Sequence, residues 1–357
     1  MNARPTVVVR VTNWLGDAVM SLPALRMVRR CRPKARVLVA ARSSLAAFYR
    51  WIEGVDGVVP APPKPPGNPR PALLAWARDL RRERPDEFVC FPNSFESALL
   101  GRLSGAPLRF GYATDGRGWL LNRRAGIPAD LLRRHQVHYY LAMLRETGFS
   151  HPEALSGLDE EIDMRIERSP EMRDCAIQVL RRLGWPADGP VVGIHAGAFF
   201  GAAKRWPADR FSQLIRQLLE QLPARVALLG APGERPLADE ILSGLPAGRV
   251  GNLCGRTALD ELVALLSRLR LLVSNDSGPM HVAAALRVPQ VALFGSTDPV
   301  ATGPFSPGAL VLKKPVECSP CFRRECPLDL RCFTSIPVDE VAAACARIYH
   351  MENSSEL

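Results

Sequence analysis

Residues 271–294 read LLVSNDSGPMHVAAALRVPQVALF. The short apolar run 271–274 suits a buried parallel strand, Asn275-Asp276-Ser277-Gly278 a tight turn, 279–286 a helix and 291–294 the next strand. That is a βαβ unit, whose strand-to-helix turn lies at the carboxyl edge of the sheet, where ligands bind. The N–H groups that open the helix face outward with the positive end of its dipole behind them, so an anion suits the turn. Gly278 permits close approach of a phosphate, Ser277 adds a hydroxyl, and Pro279 gives up only an N–H with no intrahelical partner. Asp276 is the exception, because a carboxylate beside a phosphate needs a helix start, a cation or a sugar hydroxyl to compensate it. An ordinary tight turn of an α/β protein is the other reading.

Working outward, the same alternation fills the second half. A strand at 191–195 leads into AGAFFGAAKRWP, a small-residue loop ending in Lys204, Arg205, Trp206 and Pro207; a strand at 225–229 leads into Gly230-Ala231-Pro232-Gly233-Glu234. Lys204 suits phosphate oxygens as a point charge, and Glu234 can accept both hydroxyls of a ribose. Each taken alone reads as a solvated loop charge. Projection of Lys204, Glu234 and Asp276–Gly278 from one sheet edge describes a nucleoside diphosphate pocket.

The first half repeats the pattern. A strand at 7–11, the loop Thr12-Asn13-Trp14-Leu15-Gly16-Asp17, a helix at 18–30 and a strand at 37–40 form another βαβ unit. It lacks GxGxxG and an acidic residue closing the second strand, which argues against a nicotinamide cofactor. Asp17 is either a capping carboxylate or a general base at the mouth of a cleft. Residues 60–71, PAPPKPPGNPRP, are an exposed connection. A strand at 87–91 follows, then Asn93 and Ser94 before a helix at 95–103. Arg109, Arg117, Arg123, Arg124, Arg133 and Arg134 next make a basic stretch, read as a flexible lip. Dense Gly/Pro punctuation after a helix at 170–183 places a domain junction between 168 and 190. Two α/β halves with a cleft between them are the expected architecture.

The chain has 357 residues and a net charge of +10; residues 1–169 hold 26 Lys/Arg against 17 Asp/Glu, and 170–357 hold 20 against 19. The basic half favours an anionic partner, or is simply an arginine-rich solvated surface. No aromatic-and-basic RNA motif accompanies it, so no nucleic-acid partner is expected. No apolar run is long enough to span a bilayer, and MNARPTVVVRV lacks a signal peptide's apolar core, so a cytoplasmic protein is expected. Of 9 cysteines, Cys318, Cys321, Cys326 and Cys332 cluster in CSPCFRRECPLDLRC. The density is metal-like, although zinc sites usually pair two close couples across a longer gap. A structural zinc or other thiolate centre, reduced thiols and local disulfides all stay open, with no catalytic role.

Together WLGDAVMSLPAL, KRWP, GAPGE and NDSGPMHVAAAL followed by PQVALFGSTDP resemble glycosyltransferase family 9, the bacterial ADP-heptose:lipopolysaccharide heptosyltransferases, over nearly the whole chain. PNSFESALL, GAPLRFGY and HQVHYYL further resemble the heptosyltransferase II branch, which adds the second heptose of the inner core. The resemblance implies an α/β GT-B fold: two Rossmann-like domains with parallel sheets facing across a central cleft. It places an acceptor domain at 1–168, a linking helix and junction at 169–189, an ADP-sugar domain at 190–336 and a C-terminal helix, 337–357, crossing back to the first domain.

The resemblance also implies inverting transfer from ADP-L-glycero-D-manno-heptose to heptose I of a phosphorylated Kdo-lipid A core, at the cytoplasmic face of the inner membrane, with no obligatory metal. Asp17 would be the base, Lys204, Ser277 and Gly278 would hold the diphosphate, and Glu234 and Asp276 the ribose and sugar. Asn13 and His281 would orient, and Asn93, Ser94, Arg109 and Arg117 are the acceptor-side candidates. A heptosyltransferase I-type or other ADP-sugar transferase, and a non-catalytic nucleotide-binding protein, are the alternatives.

Overall fold

The run Thr6–Arg10 (β1) is buried along its whole length, as happens when a strand has neighbours on both edges and helices on both faces. Residues 4–65, 67–150 and 162–351 are described by this computed structural model. They form two compact units, Met1–Met164 and Arg165–Leu357.

In the first unit β1 is followed by helices Leu15–Met20 (α1) and Leu22–Cys31 (α2), strand Arg36–Ala41 (β2), the short helix Ser43–Ala46 (α3) and strand Gly57–Pro60 (β3). Helix Arg70–Arg82 (α4), strand Glu87–Cys90 (β4), helix Phe95–Leu103 (α5), strands Leu108–Tyr112 (β5) and Arg123–Ala125 (β6) and helix Gln136–Glu146 (α6) complete it. The second unit runs Pro170–Arg181 (α7), Val191–His195 (β7), Ala208–Gln221 (α8), Arg225–Leu228 (β8), Arg235–Leu242 (α9), Val250–Asn252 (β9) and Leu259–Leu266 (α10). It continues Leu271–Asn275 (β10), Gly278–Ala285 (α11), Gln290–Phe294 (β11), Pro299–Thr302 (α12), Ala309–Lys313 (β12), Arg331–Thr334 (α13) and Val338–Met351 (α14).

Both six-stranded sheets are parallel and share one topology, β3-β2-β1-β4-β5-β6 and β12-β11-β10-β7-β8-β9. In each, strand order reverses between the first and fourth strands of the unit: β1 beside β4, and β7 beside β10. A crevice opens outside the carboxyl ends of the strands at such a switch point. The segments that follow β1, β4, β7 and β10 carry Asp17 (in the first turn of α1), Asn93–Ser94, Lys204 and Asp276–Ser277. Topology therefore gathers the candidate residues of each unit at one sheet edge.

One expectation needs correction. The helix predicted at 18–30 is two helices broken at Ser21, whose φ −87°, ψ −4° precede Pro23 in the first turn of α2. Proline's ring and missing N–H prevent α1 from running on. The expected linker helix is part of the second unit: α7, capped by Ser169 Oγ accepting from Met172 N, buries Met172, Ala176, Val179 and Leu180. The unit boundary consequently falls at Met164, ahead of the predicted junction. The C-terminal helix α14 puts Val341, Ala342, Cys345 and Tyr349 into the second unit's core with Phe211, Leu214, Ile215 and Leu218 of α8. Those spacings form a helical stripe, and each such aliphatic side chain fully buried contributes about 1.5–3 kcal/mol. Residues 352–357 of that expected segment lie outside the described residues.

Candidate active site

The second unit's site is built where β10 ends. Asn275, fully buried, donates from Nδ2 to Ala196 O at 2.7 Å and accepts the Trp206 N–H on Oδ1 at 3.1 Å. One side chain thus fixes both ends of the loop that carries Lys204. Asp276, 5 % exposed, accepts Lys204 Nζ at 2.5 Å and Thr297 Oγ1 at 2.7 Å on the same oxygen. The cation that a carboxylate needs beside an anion site is therefore Lys204 itself. Lys204 Nζ also lies 5.1 Å from the centroid of the Phe200 ring.

Ser277 caps α11 by position but not by bonding: it makes no side-chain cap hydrogen bond, and its Oγ lies 2.9 Å from His195 Nδ1. His195, the last residue of β7 and 5 % exposed, presents Nε2 to Glu234 Oε2 at 3.6 Å. Glu234 Oε2 in turn accepts the Ala231 N–H at 2.8 Å. Burial pushes the Glu234 carboxyl up, but the neighbouring His195 ring, the Ala231 N–H and Arg205 outweigh it and hold the group below the usual range. The carboxylate lies tight against glycine backbone, since a Cβ on Gly197 would stand 1.7 Å from Glu234 Oε1. Cys254, near the same carboxylate, is pushed up to about 12 by burial and then by Glu234 and Asp239, so it stays a thiol. His281 is buried within α11.

In the first unit Asp17 occupies the first turn of α1 and is half-buried after the exposed Trp14. It lies close enough to Tyr140 for its charge to add to the burial that holds that phenol well above its ordinary range. Asn13 Oδ1 accepts from Arg10 at 2.6 Å. Arg10 ends β1 only 3 % exposed, its guanidinium 4.9 Å from the Trp76 ring centroid and pushed down to about 10, mainly by burial.

The acceptor-side candidates divide. Asn93 and Ser94 are exposed, Asn93 Nδ2 donating to Tyr139 Oη at 2.5 Å and Ser94 Oγ accepting the Ser97 N–H at the start of α5. Arg117, expected on a solvent-facing lip, is 0 % exposed. Its guanidinium donates to Tyr112 O at 2.9 Å, Ser94 O at 3.1 Å, Ser97 Oγ at 3.1 Å and Pro92 O. It props the Asn93–Ser94 turn from behind. Arg109 does similar work, donating to Leu120 O at 2.8 Å and Ala106 O at 2.6 Å. A guanidinium's five donors suit such clusters of loop carbonyls.

Cys318, Cys321 and Cys326 are half-buried, Cys332 is buried, and all are free. They lie near one another, since the Cys332 thiol is pushed up by burial and then by Cys318, Cys326 and Cys321. Among the described residues no three His, Cys, Asp or Glu side chains are grouped to hold a metal ion. The segment also braces the loops that follow β7 and β11: Cys321 N and Phe322 N donate to Ser296 O, Ser319 Oγ to Gly295 O, and Arg324 O accepts the Ala203 N–H at 3.0 Å.

His195, Thr297 and Arg10 are the residues that sequence reasoning missed. Their only signals are position: His195 and Arg10 are polar ends of otherwise apolar strands, and Thr297 follows β11 at the same sheet edge.

Residues 73–331 match the family described as glycosyltransferase family 9 (heptosyltransferase). The chain is 29 % identical over 307 residues to lipopolysaccharide heptosyltransferase 2 of Escherichia coli strain K12, covering 84 % of this chain and 86 % of that one. The Salmonella typhimurium protein of the same name is 30 % identical over the same shares. Among solved structures, E. coli ADP-heptose LPS heptosyltransferase II superposes with a TM-score of 0.83 at 26 % identity, over 98 % of this chain and 99 % of that one. An E. coli heptosyltransferase solved with ADP has the same fold, with a TM-score of 0.71 at 20 % identity over 96 % and 99 %.

Proposed function

The chain belongs to glycosyltransferase family 9 and is a glycosyltransferase, and we propose that it moves heptose from ADP-L-glycero-D-manno-heptose to heptose I of the lipopolysaccharide inner core. Asp17 is the base that takes the proton from the acceptor hydroxyl as this oxygen attacks the anomeric carbon. The bond to the ADP oxygen breaks on the opposite face, so configuration inverts in one displacement. Positive charge grows on the sugar ring, as in glycoside hydrolysis, and negative charge grows on the departing diphosphate.

Lys204, the Ser277 hydroxyl and the Gly278 amide stabilise that leaving charge, the service a divalent metal renders elsewhere, so no obligatory metal is invoked. Asp276 and Thr297 hold Lys204 in place for it. Glu234 receives the adenosine ribose hydroxyls. The observation that carries this reading is the Lys204–Asp276 pair at 2.5 Å, set beside Ser277 at the start of α11 and outside the carboxyl ends of β7 and β10. The acceptor is a phosphorylated Kdo-lipid A core bearing one heptose, met at the cytoplasmic face of the inner membrane; the basic balance of residues 1–169 suits it. Among the described residues no helix is long and apolar enough to cross a membrane, which accords with a peripheral association.

Purified protein, ADP-heptose and core glycolipids bearing zero or one heptose, analysed by mass spectrometry, test the assignment. A mass gain of one heptose only on the mono-heptosylated acceptor is expected. A gain on the heptose-free acceptor would move the chain to the heptosyltransferase I type, and no gain on either would leave a nucleotide-binding protein.

A further inference from the structure

A helix N-cap serine ordinarily turns its hydroxyl to a backbone N–H of the first turn, yet Ser277 places its Oγ 2.9 Å from His195 Nδ1 and makes no cap bond. His195 is 5 % exposed, and its other nitrogen faces the Glu234 carboxylate at 3.6 Å. A neutral imidazole carries one proton, and an ionised carboxylate beside Nε2 favours that nitrogen as its place. Nδ1 is then a bare acceptor, and the hydrogen of Ser277 Oγ must point at it. A phosphate oxygen arriving at the start of α11 asks for the same hydrogen, of which a hydroxyl has only one.

The conflict disappears if Nδ1 also carries a proton. An imidazolium donates from Nε2 to Glu234 and from Nδ1 to Ser277 Oγ, which frees the serine hydrogen for the phosphate. The chain then runs carboxylate, imidazolium, hydroxyl, phosphate, with every donor facing an acceptor and the added positive charge lying between two anions. We propose that His195 is a positioning residue that couples donor binding to the uptake of one proton, so that the enzyme grips the sugar-nucleotide diphosphate in the imidazolium form. The proposal rests on the reading of the β10–α11 turn as the diphosphate site.

The other charged and titratable groups around this chain are Glu234, Arg205 and Cys254 on one side, and Lys204, Asp276 and His281 on the other. Cys254 stays a thiol, Glu234 accepts from the Ala231 N–H and Asp276 from Thr297 Oγ1, and the two imidazoles of this region are His195 and His281. Replacing His195 tells them apart.

The test is titration calorimetry of the intact enzyme with ADP-heptose, whose diphosphate diester has no proton to exchange near neutral pH, in buffers of different ionisation enthalpy. Wild type is expected to take up between zero and one proton per site and to bind more weakly as pH rises, by up to about tenfold per unit where uptake is complete. His195→Asn, whose amide donates permanently, is expected to bind with no uptake and a flat pH profile; Ser277→Ala should also lose the uptake. Binding by wild type with no proton exchange, or uptake that persists in His195→Asn, overturns the coupling and leaves the site reading intact. Failure of wild type to bind ADP-heptose at all would sink the site reading itself. Absence of uptake in wild type overturns the coupling even if a variant does not fold, and Ser277→Ala assigns any uptake should His195→Asn fail to fold.

Discussion

Replacing Lys204 with methionine would remove the one ammonium beside the β10–α11 turn while keeping most of the side chain's length and its contact with Phe200. Two separable losses should follow. Asp276, 5 % exposed, would keep only the Thr297 hydroxyl at 2.7 Å, and a buried carboxylate stripped of its cation destabilises a fold by about 3–5 kcal/mol. With about 2–4 °C per kcal/mol for a unit of this size, the melting temperature should fall by roughly 6–20 °C. The second loss is chemical: one charge-assisted donor to the leaving diphosphate is worth about 10²–10³ in turnover.

The double variant Lys204→Met/Asp276→Asn separates the two, because a neutral amide in place of the stranded carboxylate removes the buried charge. Thermal unfolding should recover most of the lost stability, while heptose transfer, followed by ADP release, stays about 10²-fold or more below wild type. If the double variant regained both stability and turnover, Lys204 would be a structural partner of Asp276 and the account of leaving-group stabilisation would be wrong.

Other outcomes follow from the same contacts. Arg117→Lys should cost about 2–4 kcal/mol in the first unit's unfolding, since one ammonium cannot serve the separate carbonyls that the guanidinium serves and leaves some of them buried and unsatisfied; denaturant melts check this. Gly197→Ala puts a Cβ 1.7 Å from Glu234 Oε1, so the carboxylate must move, and the KM for donor should rise about tenfold or more with kcat less affected. The Glu234 carboxyl is held below its ordinary value in the fold, so it contributes stability above the ordinary carboxylate range and loses that contribution as pH falls through its lowered value. Melting curves between about pH 3 and 6 should show Glu234→Gln less acid-sensitive than wild type.

The alternation of apolar strands with helices was legible because a parallel sheet covered on both faces demands continuous apolar runs, such as VVVR in β1 and LLVSN in β10. Placement of Asp17, Lys204 and Asp276 at sheet edges followed from where strands end. What could not be read were the partners. Lys204 finds Asp276 across 72 residues and Ser277 finds His195 across 82, and such pairs form only after β7 and β10 come to lie side by side. Composition also misled at Arg117, where a Gly- and Arg-rich stretch suggests solvent but the guanidinium is enclosed by the carbonyls of its own loops. The break at Ser21 was written in Pro23, whose effect on the preceding turn a helical apolar pattern conceals.

In the proposed transfer one carboxylate of the first unit removes the acceptor's proton while the second unit holds the donor. Asp17→Asn tests it most directly, with ADP-heptose affinity and single-turnover heptose transfer measured on the same preparation. A donor Kd within about twofold of wild type and transfer reduced by about 10²–10⁴ are expected. Transfer at the wild-type rate in Asp17→Asn would contradict it.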